Sequence, residues 1–264
     1  MNYKIIISYA IIWLLSVCCV WSQTNPYRYG SPHYWMAQST LDIYAGKFDI
    51  AYEHLQKAQK GYRELGDVGF QMQAIEAMGL LKAGLGEWVK ADEHYKDALQ
   101  IAKYAYEDFV QSKVMVDLLS LYRTTGDIVA YNHYLKALDS LYHVSNSAKL
   151  KTVYHLYWAN EYMARKEFAM VETQMQRCWD AMHDLSFSDR EQAKLDYYSN
   201  MMNLKQQQKR YKDAVRYAKD YIDQTKLMNG RNSDQQYQAY SNLCTLYALD
   251  NDSTKAFACL DSLE

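Results

Sequence analysis

The sequence predicts an all-α solenoid of about six stacked helix pairs, on three observations. Pro26 and Pro32 are the only prolines among 264 residues, so nothing from His33 onward carries an obligatory helix breaker. Of the ten glycines only Gly230 lies beyond Gly126, and long stretches poor in both residues favour helices joined by short turns. Finally, a small–large–small pattern at offsets 0, 4 and 7 recurs along the chain at intervals near 40 residues.

The pattern can be followed copy by copy. Gly46-Lys47-Phe48 leads into Ala51, Leu55 and Ala58, and Gly86-Glu87-Trp88 into Ala91, Tyr95 and Ala98. Gly126-Asp127-Ile128 precedes Ala130, Tyr134 and Ala137, and Lys166-Glu167-Phe168 precedes Val171, Met175 and Cys178. Arg210-Tyr211 opens Ala214, Ala218 and Tyr221, and Asp252-Ser253 opens Ala256, Leu260 and Leu263. The first residues of these triplets stand 40, 39, 41, 43 and 42 residues apart. Offsets of 0, 4 and 7 share one helical stripe. Small residues at its ends let a partner helix come close, and the large middle residue fills the groove between them. Such a stripe needs a preceding helix to cover it. Candidates run near Tyr34–Ala45, Gln71–Ala83, Val114–Thr124, Thr152–Ala164, Asp196–Gln207 and Tyr237–Ala248.

With 49% hydrophobic and 23% charged residues, the chain can bury a substantial core, which excludes disorder. The net charge is −2 and no basic run appears, so direct nucleic-acid binding is not expected. Residues 1–22 read as a signal peptide, with one Lys4 charge ahead of the uncharged Ile5 to Trp21. Cleavage is placed between Ser22 and Gln23, the alternative being an uncleaved membrane anchor. Residues 23–32 form a linker and 33–264 the repeat domain. Export leaves Cys178, Cys244 and Cys259, an odd and widely spaced set that reads as small packing residues. A Cys244–Cys259 bridge is the alternative in an oxidising compartment.

These triplets, with Trp35 and Gly79 where the consensus has Trp and Gly, resemble the tetratricopeptide repeat (TPR) superfamily. The period departs from the family's 34 residues. The resemblance implies a right-handed superhelical solenoid whose first helices line a concave groove. It puts Met36, Thr40, Glu76, Leu80, Met115, Leu119, Tyr122, Arg123, Asn160, Met163, Asn203 and Gln206 on that groove, a mildly polar surface without a cationic clamp. A protein or peptide segment is then the expected partner. Signal segment, long repeats and 26 tyrosines resemble the periplasmic sensor regions of Bacteroidetes helix-turn-helix regulators and histidine kinases. The resulting expectation is an exported, periplasmic interaction module, the partner-sensing region of a membrane-associated regulator. A free-standing periplasmic scaffold is the alternative. The chain stops at Leu263-Glu264 inside the sixth copy, so the last repeat is expected to be incomplete or uncapped. The membrane link would come from a following segment or from an uncleaved N-terminus.

No phosphate loop, HExxH, GxSxG or Cys–His context is found, so no enzyme activity, catalytic residue, cofactor or metal is expected. His54, His94 and His133 share one slot of the repeat. Equivalent positions on stacked pairs lie roughly 10 Å apart, too far to share an ion, so packing residues are expected there.

Overall fold

The computed structural model describes residues 29–105, 107–229 and 234–260. The predicted signal peptide at 1–22, the part of the predicted linker before Tyr29, and Leu263 lie outside them, and so does the side chain of Leu260. Every element among the described residues is an α-helix. None of these helices is long and apolar enough to cross a membrane.

The chain forms two compact units, Met1–Asn146 and Ser147–Glu264. The first contains α1 (Pro32–Tyr44), α2 (Phe48–Leu65), α3 (Val68–Gly84), α4 (Trp88–Tyr104), α5 (Asp108–Thr125) and α6 (Ile128–Val144). The second contains α7 (Ala148–Ala164), α8 (Phe168–Met182), α9 (Phe187–Gln207), α10 (Tyr211–Asn229), α11 (Asp234–Leu249) and α12 (Ser253–Leu260). Within each unit, successive helices pack on one another as hairpins, and alternate helices also touch, α3 on α5 and α7 on α9.

Most of the turns share one closure. A residue two or three past the helix end donates its N–H five residues back, as in Lys47 to Asp42 (2.8 Å), Glu167 to Tyr162 (2.9 Å) and Arg210 to Lys205 (2.8 Å). The residue just before the donor takes a left-handed φ. In the first unit that residue is Gly46, Gly66, Gly86 or Gly126, and in the second it is Lys166, Lys209 or Asn251. Side chains close several helix starts. Ser31 accepts from the Tyr34 N–H, Asp67 from Phe70, Asp127 from Ala130, and Ser147 from Leu150.

Where the sequence's triplets lie is informative. Ala51, Leu55 and Ala58 on α2, and Ala91, Tyr95 and Ala98 on α4, are fully buried, as are Val171, Met175 and Cys178 on α8. A Cβ on Gly79 of α3 would stand 2.7 Å from the Tyr95 ring, so the absence of a side chain there lets the large middle residue of α4 seat. Three triplets are less complete. Ala130, Tyr134 and Ala137 are only half-buried, and Leu138 is the core residue of α6. Within its unit α6 packs chiefly on α5, which leaves that face of the helix less covered. On α10 the core residue after Ala218 is Ile222 in place of half-buried Tyr221, and on α12 Ala256 is half-buried.

Candidate functional site

In the first unit the predicted groove residues are mostly interior. Met36, Thr40, Glu76, Met115, Leu119 and Tyr122 are buried, Leu80 is half-buried, and only Arg123 is exposed. Their polar groups are held internally. Thr40 Oγ1 donates to the Met36 carbonyl at 3.3 Å. Tyr122 donates its hydroxyl to Asp92 Oδ1 and stacks on Tyr134 at 5.6 Å. Burial drives the Tyr122 hydroxyl far above its ordinary pKa, with the Asp92 carboxylate adding to the effect.

Glu76 of α3 pairs with Lys113 of α5 at 3.0 Å, and both side chains are nearly buried, 7% and 11% exposed. Asp117, one turn beyond Lys113, has a buried Oδ2 without a hydrogen-bond partner. Burial pushes the Asp117 carboxyl well above the carboxylate range, the neighbouring Glu76 raises it further, and Lys113 opposes the shift. The three groups form one interior network linking α3 and α5.

Two of the three histidines of the repeated slot have separate hydrogen-bond partners. His54 Nδ1 lies 2.8 Å from Asp42 Oδ2, with its ring stacked on Trp35. His94 Nε2 meets the Tyr52 hydroxyl at 2.9 Å, and burial lowers its pKa. His133 is exposed. Among the described residues, no group of three or more His, Cys, Asp or Glu side chains is placed to hold a metal ion.

In the second unit Met163 is buried, Gln206 half-buried, and Asn160 and Asn203 exposed. A concave feature of this unit lies elsewhere. A cavity of about 450 Å³ is lined by Trp179, Met182, His183, Phe187, Arg190, Glu191, Lys194 and Tyr198. The end of α8 supplies Trp179 and Met182, and the first half of α9 supplies Phe187 to Tyr198. Ser186 caps α9 by accepting from the Asp189 N–H at 3.2 Å, which starts the helix at Phe187 and sets the register of the whole wall. Met182 is buried and Trp179 half-buried against Tyr197, at 4.8 Å between ring centroids. Phe187, also in the lining, is 68% exposed.

The cavity's charge is organised around Glu191, which is buried. Lys194 reaches it at 2.8 Å, Gln224 of α10 donates to it at 2.9 Å, and Arg190 Nε stands 3.8 Å away. Burial alone would raise the Glu191 carboxyl, but the bonds from Lys194 and Gln224 and the Arg190 charge bring it below its ordinary value. It stays ionised. Two cations thus face one satisfied carboxylate in a cavity also lined by Trp179, Phe187 and Tyr198, and the guanidinium, at its longer distance, keeps donors for another acceptor. The size lies within the roughly 300–1,000 Å³ range of ligand pockets. An apolar or aromatic group carrying one negative charge fits this chemistry.

None of these lining residues was among the twelve groove candidates. A signal was present in the sequence: Phe187, Arg190, Glu191, Lys194 and Tyr198 form one helical stripe with aromatic ends and a charged middle.

No protein-family model and no curated protein matches the sequence significantly. Among solved structures the chain is similar to BtubC (BKLC) from P. vanneervenii. The TM-score is 0.56 at 18% identity, covering 83% of this chain and 87% of that one. At this identity the likeness is one of fold.

Proposed function

We propose that the chain is an exported, TPR-like module that binds a protein or peptide segment, the partner-sensing region of a membrane-associated periplasmic regulator. In this reading the helix pairs belong to a right-handed superhelical array of about six units. The α8–α9 cavity receives an anchoring side chain of the partner. The observation that carries the reading is that cavity, which Trp179, Phe187 and Tyr198 line together with a guanidinium that has donors to spare. Binding surfaces concentrate their energy in such pockets, which take one apolar anchor and orient it with a few polar groups. Successive hairpins and the buried small–large–small stripes of α2, α4 and α8 support the repeat assignment.

The test is selection of random peptides displayed on phage against the purified chain. Enriched peptides are expected to converge on an aromatic or large apolar residue next to Asp or Glu. Selection without any convergent motif would overturn the reading. Export is tested separately by fusing residues 1–32 to alkaline phosphatase, which is active only after translocation.

A further inference from the structure

The last hairpin, α11–α12, carries a feature that binding does not use. Cys244 of α11 and Cys259 of α12 are each 7% exposed and belong to one buried cluster with Ala214, Ala218, Ile222, Leu243 and Leu246. The Cys259 thiol reaches across to α11 and donates to the Tyr240 carbonyl at 3.5 Å, one helical turn before Cys244 in the same buried cluster. The third described thiol, Cys178, is in a different cluster with Met182, Leu185 and Ala193.

We propose that Cys244 and Cys259 are a disulfide site, oxidised by thiol–disulfide exchange with a small or protein disulfide, which staples α12 to α11. One thiolate attacks a sulfur of the oxidant, giving a mixed disulfide and releasing one oxidant thiol. The second thiolate then attacks the protein-side sulfur of that bond, closing Cys244–Cys259 and releasing the other oxidant thiol. Two protein thiols are oxidised and one oxidant disulfide is reduced, and the two protons pass to the released thiols.

The same geometry sets the rate. Burial pushes the Cys259 thiol up to about 12, so little thiolate is present while α12 is docked. Exchange must wait for α12 to open. That helix has eight residues, and short elements open at the low end of a protein's stability range. Oxidation is therefore expected to be slow in buffer and faster in mild urea.

The test uses the purified chain, oxidised glutathione, and trypsin after an acid quench and alkylation. Cleavage after Arg231 and Lys255 places Cys244 in residues 232–255 and Cys259 in residues 256–264. A single species joining these two peptides is expected as the main product, formed faster in mild urea. Oxidation is expected to raise the melting temperature by a few degrees, of the order seen when a short loop is closed. Cys259→Ser is expected to leave Cys244 as a glutathione adduct. Recovery of both peptides alkylated, or of stable glutathione adducts on both cysteines, in urea as well as in buffer, would overturn the proposal. Failure of export would appear differently, as thiols reduced in cells that still pair with glutathione disulfide in the tube.

Discussion

The two units close the same hairpin turns with different residues. Gly46, Gly86 and Gly126 supply the left-handed φ in the first unit, whereas Lys166, Lys209 and Asn251 adopt it in the second, at φ of 60°, 58° and 59°. Glycine reaches this conformation without steric cost, and a residue with a Cβ does not. The closing hydrogen bonds are nevertheless equivalent. The turn is therefore imposed by the packing of the two helices, and glycine makes it easier without being required for it. A similar contrast runs through the cores. Tyr95 on α4 leaves no room for a Cβ on Gly79, while the smaller, more flexible Met175 on α8 shares its cluster with Ala159.

The largest expected effect concerns the interior ion pairs. Lys113→Met strands the Glu76 carboxylate in the interior and is expected to cost about 3 kcal/mol. Lys205→Met in the second unit breaks a 2.6 Å pair whose partner, Glu172, is 45% exposed. There water takes over, and about 1 kcal/mol is expected. Urea midpoints for the two variants check this, and equal losses would contradict the contrast.

Gly79→Ala is expected next, at about 2 kcal/mol from overpacking against Tyr95. Adding Tyr95→Met should return much of the loss, because it recreates the second unit's combination. A double-mutant cycle by thermal unfolding reads that coupling.

Protonation gives a third, pH-dependent difference. The Asp117 carboxyl is raised in the folded chain, so its neutral form favours folding fully below the unfolded value of about 4. That advantage is lost as pH rises through the raised folded value. Asp117→Asn should therefore gain stability relative to the parent as pH increases from about 4 upward. Urea titrations at several pH values measure the gap, which a constant offset would contradict.

The smallest effect is at the turns. Lys166→Gly should stabilise by about 0.5 kcal/mol and Gly86→Lys destabilise by about 1 kcal/mol, the difference reflecting relief of φ strain against glycine's extra unfolded-state freedom.

These contrasts explain what could be read from the sequence. Helix ends were legible because turn residues punctuate them. Starts anticipated at Val114 and Asp196 lie at Asp108 and Phe187, because upstream segments without a strong apolar period continue the helices. Ser186 holds the second of these starts in place, and Ser147 does the same for α7, which begins at Ala148 where Thr152 was anticipated. Copies four to six lack the turn glycine of the first three, although their turns have the same hydrogen bonding. Reading the groove by register also placed Met115 and Leu119 on a surface, whereas helix packing buries them. The cavity was missed because it is built from the end of one helix and the start of the next. The Phe187–Tyr198 stripe marks only the α9 wall and does not show that the end of α8 closes the other side.

The most direct test of the binding site sets one arginine of each unit side by side. Affinity for a selected aromatic–acidic peptide should be measured by calorimetry with Arg190→Glu, at the α8–α9 cavity, and with Arg123→Glu, on α5. A loss of at least about tenfold is expected for Arg190→Glu, the scale of one charge-assisted contact, with Arg123→Glu unchanged. Loss at Arg123 with Arg190→Glu unaffected would place the partner on the first unit and contradict the assignment.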